Sequence, residues 1–223
     1  ANAQYNLGLA YRNSKGVDQS DATAVIWYCK AADQGNANAQ NNLGLMYDNG
    51  EGVDQSDATA VMWYRKSADQ GNANAQYNLG LAYLNGKGVD QNDATALKWF
   101  HNAAEKGDAE AQYNLGFMYL NGKGVDQNNA TALKWFHNAA EKGDADAQCG
   151  LGLVYELGEG VDQSYATAVK WYSKAAEQGD ADALYKLGAM YEKGRGVDQN
   201  DDMAAELYRK AADQGDALVQ ERI

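Results

Sequence analysis

The chain has no proline, two cysteines and two histidines, and its 19 lysines and arginines are outnumbered by 31 aspartates and glutamates. Each shortage excludes something. Without proline, turns and helix ends rest on glycine and on capping side chains. A net charge of −12 makes polyanions poor partners, because phosphate binding relies on clustered lysine and arginine. Nucleic acid is therefore not an expected partner. No apolar run approaches the roughly 20 residues that a membrane-crossing helix needs, so no membrane insertion is expected.

Glycine, by contrast, is plentiful, and it recurs on a schedule. The string Ala-Gln-Tyr-Asn-Leu-Gly-Leu-Ala-Tyr at Ala3–Tyr11 returns unchanged at Ala75–Tyr83. It returns with Phe-Met for Leu-Ala at Ala111–Tyr119, and looser copies start at Ala39, Ala147 and Ala183. The interval is 36 residues throughout, giving repeats at 1–36, 37–72, 73–108, 109–144, 145–180 and 181–216. Residues 217–223 align with 1–7 and read as the start of a seventh first helix. A fixed period of this size marks a repeat array in which each unit packs only on its neighbours. The acidic charge is spread along it: repeat by repeat it runs 0, −3, −1, −1, −4, −3.

Within residues 1–36, apolar side chains at Ala3, Leu7, Ala10 and Tyr11, and again at Ala24, Trp27, Tyr28, Ala31 and Ala32, follow the i, i+3, i+4 spacing of a helix face. Each repeat is thus expected to be two antiparallel amphipathic helices, A over about 1–13 and B over about 21–34. Ser20, Ser56, Asn92, Asn128, Ser164 and Asn200 precede helix B, and Asn36, Asn72, Asp108, Asp144, Asp180 and Asp216 precede helix A. All are good acceptors for the unpaired N–H groups of a first turn. Gly35 and its equivalents suit a left-handed residue after helix B, and Gly16 suits the loop between the helices. Gly8 and its five equivalents lie inside helix A, where glycine costs about 1 kcal/mol against alanine. Close approach of neighbouring helix backbones is the expected compensation. The Trp27 and Tyr11 columns are expected to fill the core.

Opposite the buried face, helical geometry places Asn2, Tyr5, Asn6, Leu9, Arg12 and Asn13 on one stripe. The Asn6 column continues as Asn42, Asn78 and Asn114, and the Tyr5 column as Tyr77, Tyr113 and Tyr185. The Leu9 column continues as Leu45, Leu81 and Phe117, with Leu84 and Leu120 replacing Arg12 and Asp48 in repeats three and four. A row of carboxamides presents donors and acceptors together. They either grip an extended peptide backbone or bond neighbouring helices and hold the stack. The apolar strip beside them is either a peptide seat or a half-buried face. Asn6, Asn42, Asn78, Asn114, Tyr5, Tyr77, Tyr113, Leu45, Leu81, Phe117, Leu84 and Leu120 are the candidate ligand-binding residues.

Catalytic chemistry is not indicated. His101 and His137 fall one repeat apart, about 10 Å by helix packing, too far to share a metal with bonds near 2 Å. They read as solvated surface residues. Cys29 and Cys149, four repeats apart, exceed the roughly 7 Å Cα separation a disulfide tolerates. No metal, cofactor or enzymatic activity is expected.

The pattern Ala-x-x-x-Leu-Gly-x-x-Tyr, then Gly-x-Gly-Val, then Ala-x-x-Trp-Tyr-x-x-Ala-Ala-x-x-Gly resembles the Sel-one-like repeat, the longer-looped relative of the tetratricopeptide repeat. The chain departs from it in having Asp18 and its equivalents where many members carry proline. It also lacks the disulfide pairs of the cysteine-rich members. The resemblance implies an all-α, right-handed superhelical solenoid of six helix–loop–helix repeats, with helices A lining a concave groove. It implies a non-enzymatic scaffold or adaptor for a protein or peptide partner, in bacteria often in the cell envelope or secreted. A glycan or cell-wall-fragment binder, to which tyrosines and amides are also suited, and a spacer of a larger protein are the competing readings.

Overall fold

The structure, a computed structural model, describes residues 1–215; Asp216 and the expected helix start at 217–223 lie outside the described residues. Among the described residues the chain forms twelve helices and no strand. They fall into two compact units, one of residues 1–111 with 123–125, the other of residues 112–122 and 126 onward. The first unit holds α1 (Asn2–Arg12), α2 (Asp21–Ala32), α3 (Ala37–Asn49), α4 (Asp57–Asp69), α5 (Ala73–Asn85) and α6 (Asp93–Glu105). The second holds most of α7 (Ala109–Asn121), then α8 (Asn129–Glu141), α9 (Ala145–Leu157), α10 (Tyr165–Glu177), α11 (Ala181–Lys193) and α12 (Asp201–Asp213). Odd-numbered helices are the A helices and even-numbered ones the B helices, within two residues of the spans expected.

Capping side chains set the boundaries. Ser20 Oγ accepts from the Thr23 amide at 3.2 Å, Asn36 Oδ1 from Ala39 at 2.8 Å and Asp180 Oδ1 from Ala183 at 2.6 Å. The same contact recurs at the start of the other described helices except α1. Each such cap contributes about 1 kcal/mol. Gly35 and its equivalents adopt φ between 81° and 93° after helix B, as the left-handed stop requires.

The interior glycine of helix A answers to a ring before it answers to the backbone approach expected. A Cβ on Gly44 would lie 2.6 Å from the Tyr64 ring, on Gly80 2.7 Å from Phe100, and on Gly152 2.4 Å from Tyr172. The missing side chain makes room first for an aromatic ring of the same repeat's helix B, and the backbone of that helix is close as well, the Ala60 carbonyl oxygen lying 3.3 Å from a Cβ on Gly44 and that of Ala204 3.4 Å from one on Gly188. The closest backbone approach occurs in the loop. A Cβ on Gly88 would sit 2.4 Å from the Asp57 carbonyl oxygen of the preceding repeat.

These seated rings, Tyr28, Tyr64, Phe100, Phe136, Tyr172 and Tyr208, are the core, packed with alanines such as Ala24, Ala60 and Ala168. The tryptophans edge the core rather than fill it, with Trp63 and Trp99 packed against its buried clusters. All five are half-buried, as is the Tyr11 column. Trp27 stands one residue, and so about 100°, round the helix from the seated ring. Its outer side carries the Lys30 ammonium 4.4 Å from the ring centre, and Lys66 and Lys174 cover Trp63 and Trp171 at 4.2 Å. Each lysine lays its stem over the indole and its charge over the ring.

A buried polar column that the sequence reading passed over ties the layers together. Gln40, Gln76 and Gln148 are almost fully buried. Each donates from Nε2 to a carbonyl at the end of the preceding helix B (Ala32, Ala68 and Ala140), at 3.1 Å in every case. Their Oε1 atoms accept from Gln70, Lys106 and Gln178 of the following helix B. One side chain thereby adds a second hydrogen bond to a helix-end carbonyl that already accepts the amide of Gly35, Gly71 or Gly143, and bridges three helices. Its signal was available: glutamine fills that position in five repeats, with Leu184 in the sixth.

Candidate functional site

On the A helices of the first unit, Asn6 is exposed, and Asn42, Asn78, Tyr5, Tyr77, Leu45, Leu81 and Leu84 are half-buried. Leu45, Tyr77 and Asn78 come together with Asn41, Asn74 and Glu110 around an open cavity of about 420 Å³. Tyr77 leans on the core through Phe100, ring centres 5.9 Å apart, and Tyr5 leans on Tyr28 at 6.0 Å. Asn78 Nδ2 donates to Asn41 Oδ1 at 3.1 Å. At this position, then, the asparagine column links neighbouring repeats.

Leu81 faces elsewhere. With another side of Asn78 it lines a smaller cavity of about 200 Å³ that also holds Asp48, Asp57, Tyr64 and Lys87. Lys87 is paired with Asp48 and lies 3.7 Å from Asp57. The Asp48 bond, above all, raises the Lys87 ammonium pKa above its ordinary value. In the second unit, Tyr113, Phe117 and Leu120 line a cavity of about 340 Å³. Asn6, Asn42, Tyr5, Leu84 and Asn114 lie on A helices outside these three cavities.

The Leu84 and Leu120 replacements answer a packing rule. The Tyr64 hydroxyl donates to Asp48 at 3.2 Å, Tyr172 to Glu156 at 2.7 Å and Tyr208 to Glu192 at 3.0 Å. Burial first, and then the neighbouring carboxylate, pushes the Tyr64 and Tyr172 phenols well above their ordinary range. In repeats three and four the ring is Phe100 or Phe136, and the acid position holds Leu84 or Leu120. A ring without a hydroxyl stands where the facing residue is apolar. Repeat one breaks the rule. Arg12 occupies the acid position but pairs with Glu51 at 2.9 Å, leaving the buried Tyr28 hydroxyl without a well-formed hydrogen bond, with Asn42 and Arg12 its nearest polar neighbours.

His137 is not the solvated residue expected. It packs edge-on against Trp171 at 5.7 Å and Tyr155 at 6.5 Å. His101 sits 3.3 Å from Glu105 on its own helix. Both cysteines are free. Among the described residues, no group of three or more His, Cys, Asp or Glu is placed to hold a metal ion. No helix of that set is long and apolar enough to cross a membrane.

A family model described as Sel1 repeat matches residues 1–36, 37–72, 73–108, 109–144, 145–180 and 181–216, the same frames that the period defines. The chain belongs to the Sel1 repeat family. Among solved structures it resembles c5321, a protective antigen present in uropathogenic Escherichia coli strains displaying an SLR fold. The two share 41% identity with a TM-score of 0.86 over 98% of this chain and 47% of that one, so this chain spans about half of that relative's length. A Sel1 repeat protein from Oxalobacter formigenes shares 35% identity with a TM-score of 0.89, over 97% of this chain and 84% of that one. The immunity protein Pa5087 from Pseudomonas aeruginosa, at 22% identity and a TM-score of 0.61 over 95% of this chain and 81% of that one, shares the fold. No curated protein matches the chain. Sel1 repeat proteins are in general non-catalytic scaffolds that mediate protein–protein interaction.

Proposed function

We propose that this chain is a non-enzymatic scaffold that holds a peptide segment or loop of a partner protein on the exposed faces of its A helices. The observation that carries this reading is the open cavity around Leu45, Tyr77 and Asn78. It joins apolar walls to amide donors and acceptors, the composition of a site that takes an extended backbone and one side chain. Asn41 and Asn74 extend the amides along its edge.

Affinity capture tests the reading, with wild type beside a Leu45→Ala, Asn74→Ala, Asn78→Ala variant whose helicity is verified by circular dichroism. A partner retained by wild type and lost by the variant is the expected result. Equal capture would move binding to other surfaces and leave the asparagines as stacking residues. Oligosaccharides in a thermal-shift assay are the contrast arm, and a saturable shift would favour the glycan reading instead. An envelope or secreted location, implied by the family, belongs to the same proposal and is tested by cell fractionation.

A further inference from the structure

Repeat five departs from most others at three positions of helix A, and two of them, Gly150 and Leu157, line one hollow. Gly150 stands where Asn6, Asn42, Asn78 and Asn114 stand, Cys149 where most repeats have tyrosine, and Leu157 where four repeats have asparagine. The equivalent cavity of the first unit, with Asn78 in its wall, holds about 200 Å³; with glycine at that position the one beside Phe136, walled by Tyr113, Phe117, Leu120 and Leu153, holds about 340 Å³. It lies at the small end of ligand cavities, which span roughly 300–1,000 Å³, and so suits one large side chain. Its rim is apolar and open: Leu157 is 53% exposed and Phe117 40% exposed. Large apolar side chains grouped at the mouth of a hollow mark a binding surface more than isolated ones do.

The one charged residue lining the hollow is acidic, and the charge near it is mostly negative. Glu159 lines it. At the equivalent position in the first unit, Glu51 pairs with Arg12 and Lys87 with Asp48, the preceding repeat supplying the counter-charge. For Glu159 that place is taken by Leu120, so its carboxylate brings an uncompensated charge to the cavity. At the other end of the hollow, Asp144, Asp146 and Asp180 act on Tyr113, whose phenol is pushed up to about 12, first by burial and then by these carboxylates and Cys149. Asp182 joins them around Cys149, opposed there by Lys186. Repeats five and six together carry −7 of the chain's −12.

We propose that this hollow seats an aromatic or branched aliphatic side chain of a partner peptide whose flanking residues are lysine or arginine. This rests on the scaffold reading above and adds the chemistry of the partner. The apolar side chain fills the space that the missing asparagine leaves, while a flanking cation meets Glu159, and the aspartates beyond it attract the segment during encounter.

The test uses the full chain and fluorescein-labelled nonapeptides read by anisotropy: a central Phe flanked by two Lys on each side, the same with central Ala, and the same with Glu in place of Lys. The Lys-flanked Phe peptide should bind saturably, and the central Ala should weaken it at least about tenfold. Gly150→Asn restores the side chain of the other repeats. Its Cβ would meet the Phe136 ring at an ordinary 3.5 Å, so the fold should be kept while the hollow fills and binding falls at least about tenfold. Glu159→Lys, the residue present at positions 87 and 123, should weaken the Lys-flanked peptide and improve the Glu-flanked one.

Absence of saturable binding to wild type overturns the proposal. Equal affinity for the Ala peptide, or for wild type and Gly150→Asn with unchanged melting curves, overturns the seat. Equal affinity for the Lys- and Glu-flanked peptides overturns the basic partner. Failure here with partner loss in the Leu45/Asn74/Asn78 variant removes only this inference. Peptide binding with capture unaffected by that variant removes the first-unit site and keeps the hollow.

Discussion

Repeats three and five solve one packing problem in opposite ways. In both, a glycine inside helix A seats an aromatic ring from helix B, Gly80 under Phe100 and Gly152 under Tyr172. In repeat five the ring ends in a hydroxyl, and Glu156 accepts its hydrogen bond. In repeat three there is no hydroxyl, and the acid position holds Leu84. A buried hydroxyl needs a partner, whereas two apolar groups need only fit. The repeat therefore accepts either pair, and what it resists is a mixture. Apolar character on the A-helix face of repeats three and four is in this sense a by-product of the ring chosen beneath it.

What the two repeats share should be the costliest to break. Gly80→Ala and Gly152→Ala each push a Cβ into the ring, and overpacking of this kind costs about 1–3 kcal/mol, in part offset by alanine's better helix propensity. Both variants should unfold at lower urea than wild type. A stabilised Gly80→Ala would show that the ring swings away freely and is not seated. The difference between the repeats comes next. Phe100→Tyr places a hydroxyl toward Leu84 and should cost about 1–3 kcal/mol for a buried group without a partner. Adding Leu84→Asp should recover most of that loss, although Leu84→Asp alone destabilises. A double-mutant cycle measures this coupling, and purely additive effects would sink the pairing rule.

Helices and caps were legible because they depend on spacing within about ten residues along the chain, and the 36-residue frame because near-identical strings recur at that interval. The core was read one column off. Tryptophan is the largest residue in the repeat, but the glycine that admits a ring lies opposite position 28, not position 27. The pairing rule was legible in principle, since Tyr64, Tyr172 and Tyr208 accompany Asp48, Glu156 and Glu192 while Phe100 and Phe136 accompany leucine. Reading each column alone assigned Leu84 and Leu120 to a groove instead. The hollow at Gly150 was not legible. Its walls come from α7, α8 and α9, and a glycine in place of asparagine carries no local sign of the ring behind it. The Asn78–Asn41 bond was hidden for the same reason, since Asn41 reads in sequence as an interrupted tyrosine column.

The first repeat sharpens the comparison at smaller cost. Tyr172→Phe should lose about 1 kcal/mol, the net worth of a typical hydrogen bond, and more if Glu156 is left without its donor. Tyr28→Phe should lose nothing measurable or gain slightly, because its buried hydroxyl makes no well-formed hydrogen bond. Equal losses at the two sites would mean that Tyr28 finds a partner in solution, with Arg12 and Asn42 the nearest candidates.

The smallest effect is expected in the loop of the same repeat. Ser14 holds φ at 53° where the other five repeats place glycine, at Gly50, Gly86, Gly122, Gly158 and Gly194. A left-handed conformation costs an ordinary residue about 1–2 kcal/mol that glycine escapes. Glycine also makes the unfolded chain more flexible, which takes back about 0.4–1 kcal/mol. Ser14→Gly should therefore raise the stability of the first helix pair by a few tenths to about 1 kcal/mol. Hydrogen exchange of the α1 amides reads this directly, because a helix pair of a repeat array can open locally without unfolding the rest. Slower exchange confined to α1 and α2 is the expected result; unchanged exchange would mean that the serine relaxes out of the left-handed region at no cost.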